Sequence, residues 1–247
     1  MSSRRFALLL LLLCIACKPV VKKPPARQAA AVPRVRATVV TIETTMQPSK
    51  KTFTHELVIA NGRARTTGDV DVWRLFDLSH DSVTFVDDIA KTYRTEPVGS
   101  LVATRKAALD KPLPAEIPRA EFVSTGARKT LQGVEAAQSV IKVGGYTREL
   151  WIGSHPAIPP QLFAAMQAST APSTPIAGMT RIADEALASL RGFPLADHSE
   201  LPVGNAKLIV DRTVTKIEQR DVPAALLEIP RGFKDLTAPA ARPRSAS

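Results

Sequence analysis

Short runs in which β-branched and aromatic residues alternate with polar ones occupy much of residues 37–95 and 121–152. Successive side chains of a strand point to opposite faces, so this alternation is typical of a sheet with one buried face. Turn-forming pairs such as Asn61-Gly62 and Asp87-Asp88 separate neighbouring runs and favour antiparallel hairpins. The predicted strands are residues 37–44, 53–65, 70–78, 82–86, 91–95, 121–125, 128–131, 136–143, 148–152, 206–219 and 224–229.

The hairpin around Asp87-Asp88 gives a specific expectation about which side chains share a face. Val83 and Phe85 precede the turn, and Tyr93 follows it. A period of two predicts that these three side chains contact one common face of the sheet.

Three other segments carry apolar residues at the spacing of an amphipathic helix. They are residues 98–109, a segment that opens at Pro159-Pro160, and residues 177–190. The predicted elements thus follow the order strands, one helix, strands, two helices, strands. This order predicts an α+β fold. We expect a strongly curved antiparallel β-sheet, a half-barrel, with the helices covering its concave face.

The net charge of +10 comes from the two ends of the chain. Arg4 and Arg5, six cations in residues 18–36, and Arg242 and Arg244 together equal that charge, and no acidic residue lies among them. The remainder of the chain is therefore neutral overall. Nucleic-acid binding by the folded part is not expected, because such binding needs a concentrated basic surface.

The N-terminus has the layout of a secretory signal peptide. The basic residues Arg4 and Arg5 precede an apolar run from Phe6 to Ile15, which ends at Ala16 and Cys17. This run is about half the ~20 residues that a membrane-spanning helix needs. We expect residues 1–16 to be removed as a signal peptide.

The stretch Cys14-Ile15-Ala16-Cys17 resembles a lipobox, the cleavage motif of bacterial lipoproteins. Cys14 departs from the Leu that is usual there, although cysteine behaves as a small hydrophobic residue. An ordinary signal peptide cut nearby is the alternative, and a C-x-x-C redox site would need a βαβ context. The motif predicts acyl chains on Cys17 and membrane attachment through them.

The segments that flank the predicted domain lack the residues of a core. Residues 17–36 are rich in Pro, Ala and cations and read as a lipidated cysteine followed by an extended linker. Residues 236–247 read as a disordered tail, which leaves 37–235 as the folded domain. Lys18 stands where Asp would favour inner-membrane retention in the Lol sorting system, so we expect an outer-membrane protein of the cell envelope, facing the periplasm.

Sequence motifs for catalysis, cofactors and metals are absent. The four histidines, His55, His80, His155 and His198, are far apart in sequence, and no zincin, P-loop or nucleophile-elbow motif occurs. His80-Asp81 is interpreted as a turn, with an active site as the alternative, and Asp87-Asp88 as a hairpin turn, with a weak Ca²⁺ site as the alternative. The sequence therefore predicts a protein without enzymatic activity, cofactor or metal.

Several segments, taken in order, resemble the superfamily of outer-membrane lipoprotein carriers (Lol-type), to which bacterial envelope lipoproteins of unknown function are similar. They are VTFVDDIAKTYRTEP at 83–97, STGARKTLQGVEAAQSVI at 124–141, ELWIG at 149–153, RGFPL at 191–195 and EIPRGF at 228–233. The resemblance covers most of 37–235. One departure is Ala136-Ala137, where family members often carry a cysteine, so a redox or metal role is not expected there.

The resemblance implies a half-barrel that holds an apolar ligand, such as an acyl chain or a segment of a lipoprotein. Trp73, Phe85, Trp151 and Phe163 are the aromatic residues that would line such a cavity; the alternative is that they only fill the core. A second alternative is a structural or assembly lipoprotein that docks an envelope protein partner and has no ligand pocket.

Overall fold

The computed structural model describes residues 32–67, 72–109, 121–170 and 191–237. The leader with Cys17, the connection around residues 112–118 and the predicted helix at 177–190 lie outside these ranges. The strands are β1 (Arg34–Gln47), β2 (Lys51–Ala60), β3 (Arg63–Thr66), β4 (Val72–Asp77), β5 (Ser82–Asp87), β6 (Thr92–Pro97), β7 (Glu121–Leu131), β8 (Val134–Val143), β9 (Tyr146–Gly153), β10 (Phe193–Val203), β11 (Ala206–Pro223) and β12 (Lys234–Asp235). Helix α1 (Val98–Leu109) follows β6, helix α2 (Leu162–Ala168) follows β9, and a 3-10 turn (Ala224–Leu227) follows β11.

All twelve strands belong to one open sheet with the order β12-β6-β5-β4-β3-β2-β1-β11-β10-β9-β8-β7. Strands β1 to β6 form one series of antiparallel hairpins and β7 to β11 form another, and the β1–β11 pair joins the two series. Within the described ranges the two end strands, β12 and β7, do not pair with each other. The prediction of a large sheet built from antiparallel hairpins is confirmed for these strands.

Strand β12 corrects the expectation of a purely antiparallel sheet, because it pairs with β6 in parallel. Parallel neighbours cannot be joined by a tight hairpin and need a crossover. Here the chain leaves β11 and crosses one face of the sheet before it reaches β6. We call residues 222–237 the strap.

The face opposite the strap carries the main core, to which both helices contribute. We call it the helix-bearing face, and its fully buried members include Val40, Leu57, Phe76, Val83 and Leu150. Leu162 and Phe163 of α2 belong to the same cluster, and Leu101 of α1 packs against it. The apolar phase of each strand thus explains why the main core, with side chains from both helices, lies on this face.

The strap covers a second, smaller core on the strap face, which includes Val39, Val58, Trp73 and Val86. Leu227 of the 3-10 turn is buried in this core. Backbone hydrogen bonds hold both ends of the strap, from Ala224 N to Pro33 O (2.9 Å) and from Leu236 N to Tyr93 O (2.7 Å). Parts of β1, β2, β4 and β5 therefore have buried side chains on both faces.

Two details of the predicted pattern are wrong. Residues 224–229 were expected to form a strand, but 224–227 form the 3-10 turn, since the chain must bend there to cross the sheet. Tyr93 does not share a face with Val83 and Phe85: it lies opposite Val86 in the β5–β6 register and packs on the strap face.

Strand β10 has no counterpart among the predicted strands. Its sequence, FPLADHSELPV, contains two prolines, which argue against a central strand. A β-bulge between Pro194 and Ala196 accommodates the first proline. The second, Pro202, lies near the hairpin end of the strand, opposite Lys207.

The ordered chain extends beyond both expected domain limits. Strand β1 begins at Arg34, within the segment interpreted as linker, and Arg34 lies opposite Pro223 of β11. At the other end, Thr237 accepts a hydrogen bond from Thr95 N (3.0 Å). Residues 238–247 lie outside the described ranges.

Candidate ligand site on the helix-bearing face

Trp73 of β4 lies on the strap face. Its indole Nε1 donates a hydrogen bond to Asp88 Oδ2 (3.0 Å), and the Arg65 guanidinium stacks 3.7 Å above its ring. Both contacts hold the side chain in a filled core, on the opposite side of the sheet from the helices.

Trp151 of β9 is half-buried and alternates with Leu150 and Ile152 of the main core. Neighbouring residues of a strand point to opposite faces, so its indole projects away from the side chain of Leu150. The indole donates to Glu149 Oε1 (2.9 Å), and the ammonium of Lys129 lies 3.8 Å from the ring centre.

Phe163 is a buried member of the main core, and Phe85 and Trp151 are half-buried residues that pack against it. Phe163 meets Phe193 edge to face, with ring centres 6.4 Å apart. Phe85 is half-buried between two cross-strand neighbours, Arg74 and Arg94. The structure therefore places three of the four predicted aromatic residues against the main core and Trp73 in the strap-face core.

A row of polar side chains, which the sequence patterns did not predict as a site, crosses the same face. We call it the polar row: Thr44, His55, Arg148, Asp197 and Arg212. Arg212 of β11 lies directly opposite Asp197 of β10 on one side and Thr44 of β1 on the other. Directly opposed residues of antiparallel strands project to the same face. His55 lies opposite Ile42, two residues along β1 from Thr44, and is on that face too.

Asp197 is the centre of the polar row and is buried. Its two carboxylate oxygens accept hydrogen bonds from Arg148 Nε (3.0 Å) and Arg148 Nη2 (2.7 Å), a bidentate ion pair. Asp197 Oδ1 also accepts from Ser199 Oγ (3.1 Å) and Oδ2 from Arg212 Nη1 (3.1 Å). One carboxylate thus serves two guanidinium groups.

The charges of the polar row do not cancel. Burial alone would raise the pKa of Asp197, but Arg148 and then Arg212 hold it below its usual range, so the carboxylate is ionised near neutral pH. Burial, with the charge of Arg212 as a second cause, lowers the pKa of His55. The imidazole is therefore neutral at pH 7, and the row keeps one surplus positive charge.

Two polar groups on this face are buried without a hydrogen-bond partner. They are Thr44 Oγ1, at the centre of the polar row, and Arg74 Nε, beside Phe85. Buried polar atoms without partners are rare in folded proteins and mark places where a water, ion or ligand group is expected.

A sequence signal for the polar row existed but was weak. Three charged residues occupy strand positions whose side chains point toward the main core. Each stands two residues from a core residue of its own strand: Arg148 from Leu150, Asp197 from Leu195, and Arg212 from Val214. Charged residues in that phase need a partner. Recognising the pairing requires the strand order β9-β10-β11, and β10 was missing from the prediction.

Apolar side chains on this face continue past the packed core into solvent. Phe53, opposite Thr44, is 41% exposed, and Val72, in phase with Phe76 of the core, is 46% exposed. Phe122 lies opposite Ile141 near the end of the sheet and is also exposed. The helix-bearing face therefore combines a filled core, the polar row and open apolar surface.

A separate cleft of about 520 Å³ lies between the β7–β8 hairpin and residues 153–156. Its walls are mainly polar and include Arg128, His155 and Arg191. Arg128 is already paired with Glu135. This composition does not fit an acyl chain.

Over the described ranges, no group of three or more His, Cys, Asp or Glu side chains is arranged to hold a metal ion. In the same part of the chain, no helix combines the length and the apolar character needed to cross a membrane.

Comparisons with known proteins find little. No family model matches the chain, and no curated protein matches it. Two solved structures of PNGF-II are similar with TM-scores of 0.44 and 0.41, at 11% and 10% sequence identity. Each match covers 83% of this chain but 31% and 32% of the PNGF-II chains, so the chain spans about a third of their length.

Proposed function

We propose that this chain is a non-enzymatic lipoprotein of the bacterial cell envelope, anchored through Cys17, whose curved sheet binds an apolar ligand. The ligand is an acyl chain, free or attached to another envelope molecule, and it lies on the helix-bearing face. That face is the concave side of a half-barrel covered by helices, in keeping with the resemblance to lipoprotein carriers.

The observation that carries the proposal is the open apolar surface next to the main core. Phe53, Val72 and the half-buried Phe85 lie on the helix-bearing face, and the first two are exposed large hydrophobic residues. Covering such surface with an acyl chain removes apolar area from water on both partners, and each buried methylene contributes ~0.8 kcal/mol.

A fluorescent fatty acid titrated into the delipidated protein tests the proposal. Val72→Gln should weaken binding, because Val72 is on the helix-bearing face, whereas Val123→Gln should leave it unchanged. Val123 is the matched control: it is also 46% exposed, but it is the neighbour of Phe122 in β7 and points to the opposite face. No binding by the unaltered protein, together with no co-purifying lipid, would refute the proposal.

The anchor is tested separately by mass spectrometry of the N-terminus of protein isolated from bacterial membranes. The expected product begins at Cys17 and carries acyl chains, and Cys17→Ser should release the protein from the outer-membrane fraction. An N-terminus cut elsewhere and free of lipid would show an ordinary signal peptide instead.

An assembly lipoprotein that docks a partner protein is the second candidate, and strand β7 favours it. β7 is the last strand in the sheet order, and its residues are exposed, including Phe122 and Val123. Exposed edge strands are templates for pairing with another chain. Crosslinking in cells through a photoreactive residue at Val123 should capture one reproducible envelope protein if this candidate is right.

A further inference from the structure

We propose that Arg212, Thr44 and His55 form a headgroup site that binds the anionic group, a carboxylate or phosphate, of an acyl amphiphile lying on the helix-bearing face. The inference rests on the proposed function and narrows it: the ligand is an anionic amphiphile rather than a neutral lipid.

The first step is that the positive charge of Arg212 exceeds what the single carboxylate of Asp197 needs, because Arg148 already balances it. Arg148 alone satisfies Asp197 through a buried bidentate ion pair, so a second guanidinium is not needed to balance that carboxylate. Arg212 makes one contact with Asp197, at 3.1 Å, and its side chain is 45% exposed. Guanidinium groups recognise carboxylates and phosphates through several parallel donors. The exposed part of Arg212 can present such donors to a ligand.

The second step is the hydrogen-bonding capacity beside Arg212. Thr44 lies directly opposite Arg212, is 3% exposed, and its hydroxyl has no partner. Neutral His55 contributes one ring N–H donor. An anionic oxygen bound at Arg212 would give the Thr44 hydroxyl the acceptor that it lacks.

The third step is the apolar surface that adjoins these donors. Thr44 pairs with exposed Phe53 on β2, and Ile42 and Val214 of the main core flank Thr44 and Arg212 along their strands. A headgroup at Arg212 therefore places the first methylenes of its chain against apolar side chains. A site for a free inorganic anion has no need of such a neighbour.

Binding of oleate and of oleyl alcohol to the full chain, measured by calorimetry, tests the inference. Arg212→Gln should weaken oleate binding about 10- to 100-fold, the loss expected for a charge-assisted hydrogen bond, and leave oleyl alcohol binding unchanged. Thr44→Val, which keeps the side-chain shape, should weaken oleate binding several-fold. Oleoyl phosphate should behave as oleate does.

Arg220→Gln is the matched control. Arg220 lies on the same strand, is 44% exposed and is paired with Glu56, but it is opposite Ala37 of the strap-face core. This variant should bind both ligands as the unaltered protein does. Far-ultraviolet circular dichroism and the urea midpoint check that each variant is folded.

The outcomes separate the two proposals. Equal weakening of oleate and oleyl alcohol by Arg212→Gln, or no weakening of either, overturns the headgroup site and leaves an apolar ligand site standing. Binding of neither ligand by the unaltered protein overturns the proposed function and this inference with it. Tight binding of inorganic phosphate or acetate alone, lost in Arg212→Gln, overturns the amphiphile in favour of a free anion.

Discussion

At the scale of single residues, the buried ion pair between Arg148 and Asp197 is the most consequential contact in the molecule. Removing two charges from water is costly, and their mutual attraction offsets the cost only with good geometry. The bidentate contact meets that condition, and Ser199 supplies a further hydrogen bond to the carboxylate. Loss of one partner should therefore destabilise the fold more than loss of both.

Asp197→Asn should lower the free energy of unfolding by about 3–5 kcal/mol, because it leaves the buried Arg148 guanidinium without a counter-charge. The double variant Arg148→Met/Asp197→Leu should recover much of that loss. Urea unfolding followed by circular dichroism measures both. A double variant less stable than Asp197→Asn would show that the pair stabilises the fold in its own right.

His198 gives a second prediction at this scale, on the opposite face of β10 from Asp197. A hydrogen bond with Asp211 (2.6 Å) is the main reason that the pKa of His198 is raised, and Glu200 adds to it. The folded state therefore holds this proton more tightly than the unfolded chain. The resulting stabilisation is fully present below pH ~6.5, the pKa of a histidine in the unfolded chain. It is lost as the pH rises through the pKa of His198 in the folded protein.

His198→Gln should accordingly reduce the free energy of unfolding at pH 5.5 and leave it almost unchanged at pH 9. The side chain is 39% exposed, so solvent screening keeps the effect to a few tenths of a kcal/mol. Urea titrations of both proteins at the two pH values measure the difference. A larger effect at the higher pH would contradict the assignment.

At the scale of elements, the strap connects β11 and β12, two strands that are separated by six others in the sheet order. Leu227 anchors its first turn in the strap-face core, and the carbonyl groups of Leu226 and Leu227 accept hydrogen bonds from Arg65 and Arg63. The strap thus closes over Trp73 and the strands beneath it.

Leu227→Ala should destabilise the protein by about 2–4 kcal/mol, the usual cost of emptying a buried leucine site. It should also change the fluorescence of Trp73, which shares its core. Leu226→Ala is the control: this neighbour is only half-buried, so its replacement should cost less. Equal losses for the two variants would show that the strap is not anchored by Leu227.

The elements also show what sequence patterns could and could not predict. Helix α1 was predicted at residues 98–109 and is found at those residues, and alternation located most strands to within a few positions. Strand β10 was missed because its prolines and its inward-facing Asp197 and Ser199 mask the alternation. The polar row was missed with it, since its partners come together only across three strands.

At the scale of the whole molecule, the two faces of one sheet differ in what covers them. The strap face of β1 to β5 is closed by the chain itself, whereas the helix-bearing face carries both helices, the polar row and exposed apolar side chains. Trp73 belongs to the strap-face core, whereas Phe85, Trp151 and Phe163 contact the main core. This difference between the faces is the basis for placing a ligand on one of them.

Photocrosslinking with a diazirine-labelled fatty acid, followed by mass-spectrometric mapping of the labelled peptides, tests that placement most directly. We predict labels near Phe53, Val72 and Phe85, suppressed by excess oleate. Labels confined to the strap or to the outward residues of β7, or labels that excess oleate does not suppress, would contradict a ligand site on the helix-bearing face.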